Sequence, residues 1–458
     1  MKLQKILLLT LLLLPGLAAA QPAADFSELE NVVLAELKQT NTPGAAVAVI
    51  NGGRVVFAKG FGVASVETGA PVATDMLFRL GSTTKMFTGA ALATIAEQGR
   101  LKLNAPIGDV AKGLSPKLSR LTAHQLISNS AGMADLNAPF ISHDDSALAT
   151  MVRGWKDDVL FADAGKIYSY ASSGFWLAGY VLEEISGKPY ADAMEEVIFK
   201  PLGMNRTTLR PHTAMTYPLA VGHALQAGKP EVIRPAFNNV AMWPAGSIFS
   251  SVNDLSRFVT AFLANGKLDG KTALPPAVFA ALPGKHIAMP GDPASFYGYG
   301  LLNFEQRGIR LWMHGGFSRG YGSMIQMAPE HGFAVIVLTN KSGETLNRTT
   351  AKAKELFLPL KPAVAEPTKK ALPLAASDFT VFAGKYINGP QTWEILAKDG
   401  RLFLKEQGQE FALSKTGDWQ LSFGDALGND LVFVRGADGN AEYIFNGLYS
   451  ARKSAESK

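Results

Sequence analysis

Residues 82–98 read S-T-T-K-M-F-T-G-A-A-L-A-T-I-A-E-Q, with apolar side chains on most faces of a helix and Gly99 as its stop. A helix that is apolar nearly all round belongs in a core, so the fold has to enclose this one from every side. Its opening breaks the apolar pattern: Ser82 comes first and Lys85 three residues later. Residues three apart share a helix face, so the lysine amine reaches the serine hydroxyl. A lysine amine has a reference pKa of about 10.4, but burial beside Met86, Phe87 and Ala90 disfavours its charged form and leaves it a free base near neutrality. An uncharged amine takes the serine proton, and the free N–H groups at the helix mouth favour negative charge on a bound substrate. The pattern S-x-x-K is short, and it gains weight only from its surroundings.

The 458 residues are 47% hydrophobic and 18% charged, which fits a globular chain of two or three domains. Lys2 and Lys5, an apolar run over 6–14, a Pro15-Gly16 break and Ala18-Ala19-Ala20 give residues 1–20 the layout of a secretory signal peptide. The run is shorter than the roughly 20 residues that span a bilayer. A periplasmic or secreted protein without a stable membrane anchor is therefore expected. Without those two lysines the 44 basic residues become 42 against 39 acidic ones, a balance that gives no reason to expect nucleic acid as a partner. The chain has no cysteine, which excludes disulfides, a cysteine nucleophile and a lipid-modified N-terminal cysteine. Its seven histidines are scattered and form no H-E-x-x-H pair, so neither a metal nor another cofactor is expected. The expected partner is a small-molecule or peptide substrate, and the sequence is silent on oligomeric state.

Along the chain, Ser27 and Glu30 have the spacing of a capping box before an apolar-periodic stretch to about residue 38. Strand-prone runs over 44–50 and 54–59 flank Asn51-Gly52-Gly53, a hairpin signal because these residues tolerate positive φ. Residues 100–285 are rich in helix and loop signals, whereas 308–314, 322–328 and 332–340 are successive strand candidates, followed by a helix pattern over 344–358. Pro359, Pro362, Pro367 and Pro373 make 359–376 a stiff linker, which divides a domain over 27–358 from one over 377–458. The second carries short β-prone runs at 392–396, 401–404, 430–434 and 442–445, with turn signals at Asp399-Gly400 and Asp438-Gly439, and reads as a small β-barrel or sandwich.

The surroundings of Ser82 identify a family. The run F-R-L-G-S-T-T-K-M-F-T-G-A-A-L over 78–92, E-Q-G-R-L-K-L-N-A-P-I over 97–107, L-I-S-N-S-A-G-M over 126–133, P-L-G-M over 201–204 and P-A-G-S-I-F-S-S over 244–251 together resemble the serine β-lactamase and penicillin-binding-protein superfamily. The likeness is greatest to its class C β-lactamase-related branch of esterases and D-amino-acid peptidases. The resemblance covers about residues 27–358. It implies an α+β fold, an antiparallel sheet flanked by helices with an all-helical subdomain, to which the C-terminal all-β domain is added.

The resemblance also implies roles. In G-K-I-Y-S-Y-A-S-S-G-F over 165–175 it makes Tyr170 the proton relay between Ser82 and the leaving group, with Ser172 where asparagine is usual and Tyr168 as the alternative if the register shifts by two. In W-M-H-G-G-F-S-R-G-Y-G over 312–322 it finds the H-x-G form of the family's third motif, His314 to Gly316. There the backbone N–H groups of Ser82 and Phe317 form the oxyanion hole, Gly316 lets the strand approach closely, and His314 orients substrate or assists proton transfer. Two other patterns compete. Gly316-Phe317-Ser318-Arg319-Gly320 fits G-x-S-x-G, but a strand pattern follows where a nucleophile elbow needs a helix. Lys415-Thr416-Gly417 spells the family's K-T-G, but it lies beyond the linker and reads as a turn. The implied reaction is acyl transfer to water through an acyl-Ser82 on an ester, a β-lactam or a peptide with a D-residue. Ser172 and His314 stand where true β-lactamases carry asparagine and lysine, which favours an ester or peptide over a β-lactam. A non-catalytic or slow-turnover penicillin-binding sensor is the other class of function.

Overall fold

The computed structural model describes residues 25–364, 369–406, 408–424 and 429–455; the segment read as a signal peptide lies outside them. Eight antiparallel strands form the main sheet. From one edge to the other they run Arg54–Gly62, Gly44–Asn51, Phe333–Thr339, Tyr321–Ala328, Ile309–Ser318, Leu302–Gln306, Asp292–Tyr297 and Ile287–Met289. The strand Gly44–Asn51 shows why the sheet sits in the middle of three layers. Ala46, Ala48 and Ile50 join one core cluster, and Ala45, Val47 and Val49 join another, so its unbroken apolar run is buried on both faces.

On one face lie the helices Ser27–Thr40 and Asn347–Phe357. The expected capping box is not formed. Ser27 is already the first helical residue, and its N–H donates to Asp25 Oδ1 at 2.8 Å. Buried Glu36 instead holds the second helix, accepting from the N–H groups of Arg348 and Thr349, each at 2.8 Å, where a carboxylate complements the helix dipole. On the other face the helix Thr84–Glu97 is enclosed by Ser172–Ser186, Val252–Leu263 and their neighbours. This middle region is mainly helical, with two short two-stranded ribbons inside it and a third pairing Phe249–Ser250 with Phe78–Arg79. The two inner ribbons turn on Ala227-Gly228 and Asp269-Gly270, all four residues at positive φ.

The C-terminal unit is a closed barrel of eight strands, from Gly384–Asn388 to Ser450–Lys453, in sequence order with the first paired to the last. Closure leaves no free sheet edge. Alternate residues such as Trp393 and Ile395, Leu402 and Leu404, and Leu431 and Phe433 fill its core. Lys415-Thr416-Gly417 lies at the end of the strand Gln409–Gly417 and not in a turn, with Lys415 ion-paired to Asp378 at 2.9 Å. The segment between the units is tied at both ends. Lys361 N–H donates to Arg307 O at 3.0 Å on the larger unit, and Leu372 N–H donates to Lys415 O at 2.8 Å on the barrel.

Candidate active site

Ser82 lies in a short 3₁₀ turn, Gly81–Thr83, immediately before the α-helix Thr84–Glu97. The tighter turn moves the start of the α-helix two residues beyond Ser82 and still brings Lys85 Nζ to 3.2 Å from Ser82 Oγ. Lys85 is fully buried. Its amine also meets Ala245 O at 2.9 Å and Ser172 Oγ at 3.4 Å, and lies 4.6 Å from the centre of the Tyr170 ring. No carboxylate touches it among the described residues. Desolvation lowers its pKa to about 7, against a smaller opposing effect of the Asp135 charge, so a large share of the amine is uncharged at neutrality.

Tyr170 is held over this pair by the barrel. Its N–H donates to Leu448 O at 3.1 Å, and its ring meets that of Tyr449 edge-on at 6.2 Å. The preceding Ser169 accepts from Ser450 N–H at 3.1 Å, and Ser450 Oγ donates to Tyr168 O at 2.6 Å. Burial drives the Tyr170 hydroxyl well above its usual range, and its hydrogen bond with Ser82 opposes that shift. Tyr168 also lines the cavity, but its ring packs on Tyr297 and Phe445, 5.3 and 6.0 Å away. On the relay role that the resemblance implies for Tyr170, Tyr170→Phe is expected to lower kcat by about 10²–10⁴-fold. Tyr168→Phe should stay within about fivefold of the parent, and steady-state kinetics on one activated ester compares the two.

Ser172 opens the helix Ser172–Ser186 and faces the same space. Its N–H donates to Asp135 Oδ1 at 2.7 Å, and Asp135 Oδ2 accepts from Tyr449 O–H at 3.1 Å. The sequence reading named neither Asp135 nor Tyr449. Asp135 lies two residues beyond the L-I-S-N-S-A-G-M run, the one local signal that pointed toward it.

The strand Ile309–Ser318 forms the opposite wall. Gly81, at φ +56, lies so close to Phe317 that a Cβ on it would overlap that residue's backbone. A Cβ on Gly316 would likewise overlap the carbonyl oxygen of Leu80. Ser323 Oγ donates to Leu80 O at 2.6 Å and lies 2.7 Å from Thr83 Oγ1, which fastens the sheet to the Ser82 turn. His314 is buried, and burial next to Lys85 lowers its pKa to about 3, so its ring is neutral. Nδ1 lies 2.5 Å from Gly315 O, and Nε2 lies 3.2 Å from the Tyr297 hydroxyl. Only Nδ1–H can donate to a carbonyl, so Nε2 accepts from Tyr297. Ser318 ends this strand opposite Tyr321 in a tight strand-to-strand turn, which is not a nucleophile elbow.

Ser82, Asp135, Tyr170, Ser172, His314 and Phe317 line one cavity of about 820 Å³, with Phe237, Met242, Met289 and Leu448 supplying much of its apolar wall. The family model described as Beta-lactamase matches residues 29–357. Penicillin-binding protein 4 of Amycolatopsis lactamdurans is 27% identical over 310 residues, which is 66% of this chain and 81% of that protein. Protein flp of Staphylococcus aureus strain MRSA252 is 24% identical over 333 residues, covering 69% of this chain but 63% of its own length. Two solved structures share the fold across nearly the whole chain. The crystal structure of SurE has a TM-score of 0.78 at 24% identity, covering 93% of this chain and 98% of that one. The octameric penicillin-binding protein homologue from Pyrococcus abyssi has a TM-score of 0.65 at 23% identity, covering 94% and 100%.

Proposed function

This chain belongs to the beta-lactamase family, and from that premise we propose that it is an exported serine hydrolase that passes an acyl group to water through an ester on Ser82. The observation that carries the reading is the 3.2 Å approach of Lys85 Nζ to Ser82 Oγ, with the amine's pKa near 7. An uncharged amine has two N–H donors and one lone pair. Donation to Ala245 O and Ser172 Oγ leaves the lone pair for the Ser82 proton.

In the forward step Ser82 Oγ bonds to the substrate carbonyl carbon while its proton moves to Lys85. The backbone N–H groups of Ser82 and Phe317 receive the oxyanion. Tyr170 gives a proton to the departing oxygen or nitrogen and regains one from the Lys85 ammonium. Water then repeats the sequence on the acyl-serine and releases the acid. The apolar part of the cavity wall suits the acyl part of an ester or of a D-amino-acid amide, and SurE has been solved with D-Leu. A β-lactam is the second reading, favoured by the names of the penicillin-binding relatives. In that case slow release of the acyl group would make the protein a sensor. Export rests on the layout of residues 1–20.

One set of mass spectra tests these points. After exposure to a fluorophosphonate or to penicillin, the peptide containing Ser82 gains the probe mass, Ser82→Ala gains none, and the exported protein starts near Gln21. Label on Ser318 with activity surviving in Ser82→Ala overturns the assignment. A mature chain that still begins at Met1 overturns export. Short-chain p-nitrophenyl esters, D-alanyl peptides and nitrocefin then rank the substrates, and a penicillin adduct that persists for hours without any turnover favours the sensor.

A further inference from the structure

The cavity contains a carboxylate that acyl transfer leaves without a task. Among the described residues that line it, Asp135 is the only acid; Arg79 and Arg319 also line it, the Arg79 guanidinium donating to Phe237 O and to Ser247 Oγ and neither arginine pairing with Asp135. Its two oxygens take one hydrogen bond each, from Ser172 N–H and from Tyr449 O–H, and it forms no ion pair. A carboxylate accepts about four hydrogen bonds, so it keeps capacity facing the cavity. Its distance from the chemistry is short. Ser172, to which it is bonded, meets Lys85 Nζ, which meets Ser82 Oγ.

For the base this charge is a handicap, because it favours the protonated amine that cannot take the serine proton. Its bond to Ser172, the first residue of a helix, does not require a charge, since an asparagine oxygen caps a helix as well. The Tyr449 hydroxyl nevertheless holds it from the barrel side. A fixed carboxylate that has no ion pair and keeps free acceptor capacity is complementary to a cation.

We infer that Asp135 is the specificity residue that binds a primary ammonium group on the acyl part of the substrate, so that the preferred substrates are amides or esters of amino acids with a free amino group. The inference rests on the reading of Ser82 as the acylated residue. Tyr449, supplied by the barrel, then acts as a positioning residue that fixes the carboxylate from the far side.

The test is protection of Ser82 from fluorophosphonate labelling, which needs no turnover. In the parent protein D-alaninamide should halve the labelling rate at a concentration at least tenfold lower than N-acetyl-D-alaninamide does. In Asp135→Asn, which keeps the oxygen acceptor but not the charge, the two should become equal within about twofold at an unchanged melting temperature. If Asp135→Asn does not fold, Tyr449→Phe serves instead, with the preference expected to fall at least threefold. An equal effect of the two amides on the parent, or an undiminished preference in the variant, overturns the inference and leaves Ser82 in place. Absence of any Ser82 label in the parent overturns both readings.

Discussion

Lys85→Met is expected to lower kcat/KM for an activated ester by about 10³–10⁴-fold at pH 7.5, toward the top of the range for a lost general base, while leaving the protein at least as stable as the parent. The stability half of this result follows from the burial of the amine. Folding moves the Lys85 pKa from 10.5 to about 7, and at roughly 1.4 kcal/mol per unit the buried amine costs on the order of 5 kcal/mol at pH 7 and below. Methionine has nearly the same shape without that cost. The lost contacts with Ala245 O and Ser172 offset about 1–3 kcal/mol of the gain. The sign with pH is fixed as well. Between about 7 and 10.5 the unfolded chain binds the proton that the folded chain has released, so the parent gains stability as pH rises through that window, and the variant should lack this slope.

Activity follows the same group. On the proposed mechanism only the uncharged amine accepts the serine proton, so in the parent kcat/KM should rise with pH through a midpoint near 7 and then level. In Lys85→Met the inflection disappears. Adding Lys85→Met to Ser82→Ala should cost almost nothing further, since the two act as one unit. Thermal melts and pH–rate profiles on the three variants check all of this. A Lys85→Met protein that melts far below the parent with its residual rate still rising through pH 7 would mean that the lysine is a structural residue.

The difference between what the sequence reveals and what it hides is mainly one of distance along the chain. Ser82 and Lys85 are legible because three residues on a helical turn fix their neighbourhood, and because the unbroken apolar run behind them says that the turn is buried. Strands whose apolar residues run unbroken or alternate cleanly, such as Gly44–Asn51 and Phe333–Thr339, are legible for the same local reason. The three strands between residues 287 and 306 are not, since Pro290, Gly291, Pro293, Gly298 and Gly300 break any period there. In the barrel the missed strands are those such as Gln409–Gly417, where polar residues occupy inward and outward positions alike and closure, not pattern, sets the pairing. Tyr170 and the H-x-G strand needed the family resemblance, because nothing local joins residues 82, 170 and 314. Asp135 and Tyr449 lie 314 residues apart, and no period or short motif encodes a contact between two domains. His314 shows the opposite limit. Its position was legible, but the Tyr297 hydroxyl that takes its second ring nitrogen was not.

The second large effect comes from a residue with no side chain. Gly316→Ala is expected to destabilise the protein by about 3 kcal/mol, the upper end of what overpacking usually costs, and to lower kcat by about 100-fold even where the fold survives. The added Cβ would overlap the carbonyl oxygen of Leu80 and the hydroxyl of Ser323. Leu80 is backbone two residues before the nucleophile, and Ser323 Oγ is already committed to it at 2.6 Å, so neither can yield independently. The strand and the Ser82 turn would have to separate, and displacement of a reacting group by about 1 Å costs on the order of 10²-fold in rate. Gly315→Ala is the matched control. There the nearest atom to the new Cβ is the terminal methyl of Met324 at 3.1 Å, the flexible end of a side chain, and the cost should stay below about 1 kcal/mol with kcat within about threefold. Denaturant melts and burst kinetics separate the two effects, since a displaced oxyanion hole slows acylation while a displaced substrate wall raises KM. Equal tolerance at 315 and 316 would mean that this strand does not abut the nucleophile turn, and the N–H of Phe317 would then have no place in stabilising the oxyanion.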